Sequence, residues 1–262
     1  MERTQYTVRS ADGTRIAVER SGEGPALVIV DPAGGWSGFD SVRRLGALLA
    51  ERFTVHTYDR RGRGASGDTA PYAVAREVED LAALIAHAGG QAFVYGFSSG
   101  GLVALHAAAA GLAIRRLALF EPPVRGEGEP PDPAFGAEIA GLVASGRPDR
   151  AAARFLEAIG VPAEVVEGMG EGMSGLEAVA HTLLYDCAIS DATDLDLLRS
   201  VRTPALVLDS AGSSEELTSG TAAIASALPN GRRHSLAGGW HGVAEEDLAP
   251  VVAEFLIGRA SR

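Results

Sequence analysis

Cysteine is almost absent from this sequence, with Cys187 its single example. No disulfide can form within the chain, and zinc sites built on CxxC pairs are excluded. Basic residues are also in deficit: 23 Lys and Arg face 34 Asp and Glu, a formal net charge of −11. Phosphate backbones and anionic membranes attract basic surfaces, so this balance argues against nucleic acid and membrane as partners. Most of the carboxylates read as solvated surface. Long apolar runs are missing too. The longest, Leu102 to Ile114, is interrupted by His106 and falls short of the roughly 20 residues that span a bilayer. The opening Met1-Glu2-Arg3-Thr4-Gln5 is polar and lacks the apolar centre of a secretion signal, so the expectation is a soluble cytoplasmic protein.

What is present is an alternation of strands and helices. Tyr6 to Arg9 and Arg15 to Glu19 flank Asp12-Gly13, a strong hairpin signal. The run Ala26-Leu27-Val28-Ile29-Val30 reads as a strand buried on both faces. Further strands are expected at Phe53 to Tyr58, Ala92 to Tyr95, Leu117 to Phe120 and Ala205 to Leu208. Ser41 to Arg52 and Ala73 to Ala88 carry apolar residues at helical spacing. The fold class is therefore α/β, a mostly parallel sheet covered by helices on both faces, with an antiparallel hairpin at its edge. The alternation breaks after Phe120. Glu121 to Pro133 is a loop rich in proline, glycine and acid, and only helix-like segments follow until Leu198. Residues 1–121 and 199–262 are thus expected to form the core, and residues 122–198 an inserted helical cap.

The strongest chemical signal is Gly96-Phe97-Ser98-Ser99-Gly100, between an apolar strand and the helical stretch from Leu102. So sharp a turn forces its central residue into strained geometry and needs small neighbours. In return it holds a serine clear of the sheet at a helix N-terminus, where developing negative charge is stabilised. The plain alternative is a Gly/Ser turn without chemistry. A serine nucleophile needs a base, and His241 in Gly238-Gly239-Trp240-His241-Gly242 lies among glycines that could carry the ring over the sheet edge. His106 and His56 lie inside elements and read as packing residues, His87 and His234 as surface. His181 reads as structural, with substrate contact the less favoured role. Gly62 to Gly67 formally matches the dinucleotide fingerprint GxGxxG, but a loop, Asp68 to Pro71, follows where a helix should begin.

In order and spacing these motifs resemble the serine-nucleophile branch of the α/β-hydrolase superfamily. Tyr58 to Ser66 is similar to its D-x-R-G-x-G-x-S segment, Asp31-Pro32-Ala33-Gly34-Gly35 stands where its oxyanion loop lies, and His241 matches its late histidine. Two departures follow from the comparison. Pro32 has no N–H, so the resemblance implies an oxyanion hole of Ser99 N–H with Ala33 or Gly34. The acid's commonest place, in the loop after Ala205 to Leu208, holds Ser213. Glu121, at the end of the preceding strand, is the replacement that some branches imply; Asp209 is its main rival, with Glu215 and Glu216 weaker. The zearalenone-lactonase branch is similar in chain length, in its Ser-Ser-Gly elbow and in a glutamate before proline at this strand end, and it raises lactones as substrates by analogy.

The resulting expectation is hydrolysis of a carboxylic ester or lactone of a small, mainly hydrophobic molecule. Ser98 is the nucleophile, His241 the base and Glu121 the orienting acid, with no metal or organic cofactor required. Trp36, Phe97 and Trp240 adjoin these motifs and are candidates for apolar pocket walls, or equally for core. A thioesterase, a cofactor-free perhydrolase or a lyase would keep the same triad. A non-catalytic small-ligand receptor would keep the fold alone.

Overall fold

The Asp12-Gly13 turn joins β1 (Arg3–Arg9) and β2 (Arg15–Ser21) in antiparallel register, Arg9 opposite Arg15. Gly13 takes φ +86°, the left-handed geometry that glycine accepts without steric cost. The Asp12 side chain closes the turn by accepting the Thr14 N–H at 2.9 Å. A computed structural model describes residues 3–38 and 42–258. Met1 and Glu2 of the polar N-terminus and the expected helix start at Ser41 lie outside the described residues.

The hairpin edges an eight-stranded sheet of order β1-β2-β4-β3-β5-β6-β7-β8. After it come β3 (Ala26–Val30), α1 (Arg43–Leu49), β4 (Thr54–Tyr58), α2 (Val74–His87), β5 (Ala92–Phe97), α3 (Ser99–Ala109) and β6 (Ile114–Phe120). The pairs from β3–β4 to β7–β8 are parallel, whereas β1–β2 and β2–β4 are antiparallel. Strand β4 leaves β3 on one side and β5 returns on the other, so the loops after β3 and β5 meet at a topological switch point. In open α/β sheets that crevice is where ligands bind.

Helices α4 (Pro133–Ala144), α5 (Pro148–Ala158), α6 (Ala163–Gly168), α7 (Glu171–Ala178), a 3₁₀ turn (Ala180–Thr182), α8 (Leu183–Asp191) and α9 (Leu195–Ser200) form an insertion between β6 and β7. The insertion has its own small core, in which Ile139, Phe155, Leu156, Leu176 and Leu183 are buried. Burying each such side chain contributes roughly 1.5–3 kcal/mol. The expected boundary at residue 198 falls inside α9, which packs against α3 and against α10 of the main fold. Of the helix-like segments, the stretch from Leu176 to Leu184 is divided among α7, the 3₁₀ turn and α8.

The chain closes with β7 (Ala205–Ser210), α10 (Glu215–Ala227), β8 (Gly231–Leu236) and α11 (Glu245–Ile257). Two results differ from the sequence reading. Asp209 and Ser210 are strand residues rather than loop, and both are fully buried. Strand β8 was not expected, because Gly-Arg-Arg-His-Ser-Leu is an edge strand with exposed residues at its centre and no apolar alternation. Apolar clusters fill the two faces of the sheet, one including Val28, Val94, Leu102 and Leu117, the other Ile29, Phe53, Tyr95 and Val252. Among the described residues no helix is long and apolar enough to cross a membrane.

Candidate active site

Strand β5 ends at Phe97, and Ser98 turns the chain into α3 with φ 51° and ψ −124°. An L-residue holds such a conformation only where its surroundings impose it. The glycines on either side show how tight the turn is. A Cβ on Gly96 would lie 2.6 Å from Gly101 Cα, and one on Gly100 would lie 2.3 Å from Val30 O. Ser98 N–H donates to Phe120 O at 2.9 Å, and the Ser98 hydroxyl does not cap its own helix.

Glu121 follows β6 directly and is 1% exposed. Its Oε2 lies 2.5 Å from His241 Nδ1, and its Oε1 accepts the Ser210 N–H at 2.8 Å. His241 is further fixed through its backbone N–H, which donates to Ser213 Oγ at 2.9 Å. The residue standing at the usual acid position therefore grips the histidine's main chain. The glycine-rich loop around His241 is not slack, as its composition suggested, but pinned. Gly239 N–H donates to Gly242 O, Ser210 Oγ donates to Gly239 O, and a Cβ on Gly238 would lie 2.2 Å from Gly242 O. Among the described residues the non-glycine residues with positive φ are Ser98, Glu121 and His241, at 51°, 42° and 49°. Three separate loops thus deliver three strained residues to one place.

That place is a cavity of about 510 Å³, within the range of small-ligand sites. Ser98, Ser99, Glu121 and His241 line it together with Ala33. Ser98 and His241 share the cavity without a hydrogen bond between their side chains; such contacts often tighten only in the reacting complex. Of the two alternatives for the second oxyanion donor, Ala33 lies on the cavity wall. Gly34, with φ +68°, is turned toward the insertion, where a Cβ would lie 2.2 Å from Leu176 Cδ1.

The proposed aromatic walls divide. Trp240 lines the cavity, whereas Phe97 and Trp36 do not. The Phe97 ring packs 4.9 Å from the His241 ring and 5.4 Å from that of Phe120, supporting the imidazole instead. Trp36 donates its indole N–H to Gly175 O at 3.3 Å, tying the loop after β3 to the insertion. The cavity wall is of mixed character. Phe135, Phe155, Ala158, Ile159 and Leu217 share its wall with Arg125, Glu129, Asp132, Arg154 and Asp191. Burial pushes the thiol of Cys187, also on this wall, up to about 12, so it stays protonated. His181 is exposed, and His106 bonds Thr193 Oγ1 at 3.0 Å.

Sequence reasoning missed the charges beneath the site. Arg60, Arg61 and Arg63 are at most 1% exposed. Arg61 pairs with Asp80 and Asp12. Arg60 makes a two-pronged pair with Glu77, at 2.6 and 2.7 Å, and donates to Asp186 at 2.9 Å. Arg63 donates to the other oxygen of Asp186 at 2.6 Å. Burial opposes the charge on Arg60, but Glu77 and Asp186 outweigh it and hold the guanidinium well above its ordinary value. Burial likewise works against the Glu77 carboxylate; Arg60 prevails and keeps that carboxyl below the usual range. Three arginines within four residues behind an apolar strand were the available signal, since buried guanidinium groups require carboxylates. Among the described residues no group of three or more His, Cys, Asp or Glu side chains is gathered as a metal ion would need.

A family model described as the alpha/beta hydrolase family matches residues 27–254. A crystal structure of an alpha/beta hydrolase from Sphaerobacter thermophilus DSM 20745 is 45% identical, with a TM-score of 0.88 over 95% of this chain and 99% of that one. The enol-lactonase from Burkholderia xenovorans LB400 shares the fold at 22% identity, with a TM-score of 0.76 over 95% and 99% of the two chains. A pimeloyl-[acyl-carrier protein] methyl ester esterase of Stenotrophomonas maltophilia (strain R551-3) is 39% identical over 134 residues, 47% of this chain. The chain spans about half the length, 49%, of that curated relative.

Proposed function

The chain belongs to the alpha/beta hydrolase family, and on that footing we propose that it hydrolyses a carboxylic ester or lactone of a small molecule through an acyl-enzyme at Ser98. The observation that carries this reading is the Glu121–His241 pair, at 2.5 Å, on the same cavity as a serine held at positive φ. With Nδ1 engaged by Glu121, Nε2 is the nitrogen left to take the Ser98 proton as Oγ bonds to the substrate carbonyl carbon. The carbonyl oxygen becomes an oxyanion, to which the N–H groups of Ser99 and Ala33 donate. As the intermediate collapses, the ester C–O bond breaks and His241 returns its proton to the departing oxygen. In a lactone that oxygen stays tethered to the acyl group. Water then attacks the acyl carbon, giving its proton to His241, and Ser98 recovers its own as the carboxylic acid leaves. Glu121 holds the ring and stabilises its charged form throughout. No step calls on a metal or organic cofactor.

Residues 122–198, read as a cap, supply Phe135, Phe155, Ala158 and Ile159 to the substrate's apolar portion. Arg125, Arg154 and the nearby carboxylates give the same wall places for polar substituents. The esterase and enol-lactonase among the similar proteins accord with this substrate class. Thioester cleavage and perhydrolysis would use the same groups, and a ligand receptor would use the cavity alone. A fluorophosphonate probe separates the last reading from the others. The proposal expects covalent labelling of Ser98 and turnover within a panel of p-nitrophenyl esters, thioesters and macrocyclic lactones. A protein that binds such esters without labelling or turnover would be a receptor.

A further inference from the structure

Asp186 lies on α8 of the insertion, far in sequence from every element of the proposed chemistry, and its side chain is 1% exposed. Both of its oxygens are engaged. Oδ1 accepts from Ser99 Oγ at 2.8 Å and from Arg60 Nη1 at 2.9 Å, and Oδ2 accepts from Arg63 Nη2 at 2.6 Å. Arg60 also donates to Ser99 Oγ at 3.0 Å. Arg63 reaches the loop after β3, donating to Pro32 O at 2.7 Å and to Gly35 O at 3.3 Å, and it holds Thr182 Oγ1 in the insertion at 3.0 Å. The two carbonyls thus flank Ala33 and Gly34.

Resting on the reading of Ser98 as an acylated nucleophile, we propose that Asp186 is a positioning residue by which the insertion assembles the oxyanion hole. The two amides assigned to the hole come from different loops, Ala33 after β3 and Ser99 after β5. No hydrogen bond between those two residues fixes their separation. They are joined instead through a buried network in which Asp186 is the carboxylate that reaches both sides, Ser99 Oγ on one and, through Arg63, the Pro32 carbonyl on the other; Arg60 adds a longer bridge from Ser99 Oγ to Asp31 O at 3.4 Å. Charge reinforces the geometry. Arg60 and Arg63 are balanced by Glu77 and Asp186, and Glu77 already pairs with Arg60 through both of its oxygens. Without Asp186, Arg63 has no carboxylate partner among the described residues, and a buried guanidinium so abandoned would draw its neighbours out of place. With both oxygens held by the protein and its side chain 1% exposed, Asp186 is assigned to positioning rather than to substrate contact, although it borders the cavity. A donor pair misplaced by a fraction of an ångström loses more in the transition state than in substrate binding, because the oxyanion forms only there.

The test uses the full chain and a p-nitrophenyl ester. Wild-type protein must first turn over and label with a fluorophosphonate; failure at that point ends the reading of Ser98 and this inference with it. In Asp186→Asn, kcat is then expected to fall about 10²-fold while KM stays within about three-fold. Affinity for a trifluoromethyl ketone, which forms a tetrahedral oxyanion on the serine, should weaken in step with kcat/KM. The affinity for the carboxylate product should not change. Asp80→Asn, which breaks an equally buried arginine pair that makes no hydrogen bond to Ser99 or to the loop after β3, is the control and should lower Tm without this split. Ser99→Ala, which removes one arm of the link, should cost only a few-fold, and its effect should be less than additive with Asp186→Asn. If Asp186→Asn does not fold, Arg63→Lys carries the test, since an ammonium cannot span Pro32 O, Thr182 and Asp186 together. Wild-type kcat in the folded variant, or losses that merely track Tm as in Asp80→Asn, would overturn the proposal.

Discussion

The backbone N–H of Ser210 donates to Glu121 Oε1 at 2.8 Å, which leaves the other oxygen of the same carboxylate to His241. A glutamate has one more rotatable bond than an aspartate, and the strand neighbour removes the freedom this adds. Asp209, the rival acid, is one residue away on the same strand as Ser210, yet its Oδ2 is held at 2.6 Å by Arg233 Nε. Glu121→Gln should keep the shape, lose the charge that favours the imidazolium, and lower kcat by about 10²–10⁴-fold. Asp209→Asn should leave kcat within a few-fold and show its effect in thermal stability. Steady-state kinetics on the two variants decides the assignment: an inactive Asp209→Asn beside an active Glu121→Gln would reverse it.

Ser98→Ala and Ser99→Ala remove the same atom from adjacent residues with different surroundings. The first should abolish labelling and reduce turnover by about 10⁴-fold or more with the fold intact. The second deletes a hydroxyl that, among the described residues, bonds to Asp186 and Arg60, and it should retain labelling with turnover lowered only a few-fold. Intact-mass analysis after fluorophosphonate treatment reads the difference directly.

The elbow tolerates no side chain at its second glycine. Gly100→Ala would press a methyl group to 2.3 Å from Val30 O and 2.6 Å from Asp31 O, both backbone atoms. Relief requires α3 to retreat from β3, which widens the crevice where the two loops meet. The expected loss is on the order of 1–3 kcal/mol of stability, seen in a urea titration, together with most of the activity. A variant with wild-type midpoint and kcat would show that the two elements need not lie so close.

Stability should also depend on pH through His56. Burial, and secondarily the charges of Arg20 and His87, lower its pKa to about 4, and Tyr6 Oη lies 2.7 Å from its Nδ1. In the unfolded chain it titrates near 6.5. Below that pH the unfolded state takes up a proton that the folded state refuses. The contribution is therefore complete above about pH 6.5 and lost progressively as pH falls toward 4. His106, lowered chiefly by burial, acts in the same direction. Urea midpoints at about pH 7 and pH 4.5 should converge in His56→Gln relative to wild type. Equal slopes for the two proteins would mean that His56 is not the neutral partner described.

The parts of this molecule legible in its sequence are those whose physics is local. Ser98 stood out as a candidate because a strand, two glycines and a helix start adjoin it, whereas Glu121 was a candidate through the resemblance, which implies an acid at this strand end. His241 was the candidate base for its glycine-rich loop late in the chain and its match to the family's late histidine. Strand β8 escaped because an exposed edge imposes no apolar alternation on Arg232 to Ser235. Asp186 escaped for another reason: its partners lie 87 to 126 positions away, and nothing near it distinguishes it from a solvated acid. For Trp36 and Phe97 wall and core stayed equally open, because proximity to a motif in sequence does not say which side of the backbone a ring occupies.

The positive φ angles of Ser98, Glu121 and His241 carry a consequence for how this chain could change. Each such residue costs on the order of 1–3 kcal/mol, against a typical domain stability of about 5–15 kcal/mol. Replacing Ser98 by glycine would release one share of that strain while removing the proposed nucleophile. Selection for thermal endurance alone, with no demand on turnover, would therefore erode the site from within, and its drift would begin at the three residues to which the proposed chemistry is assigned. A lineage that lost its substrate would be expected to leave a sturdier protein with the same sheet and glycine at one or more of these corners.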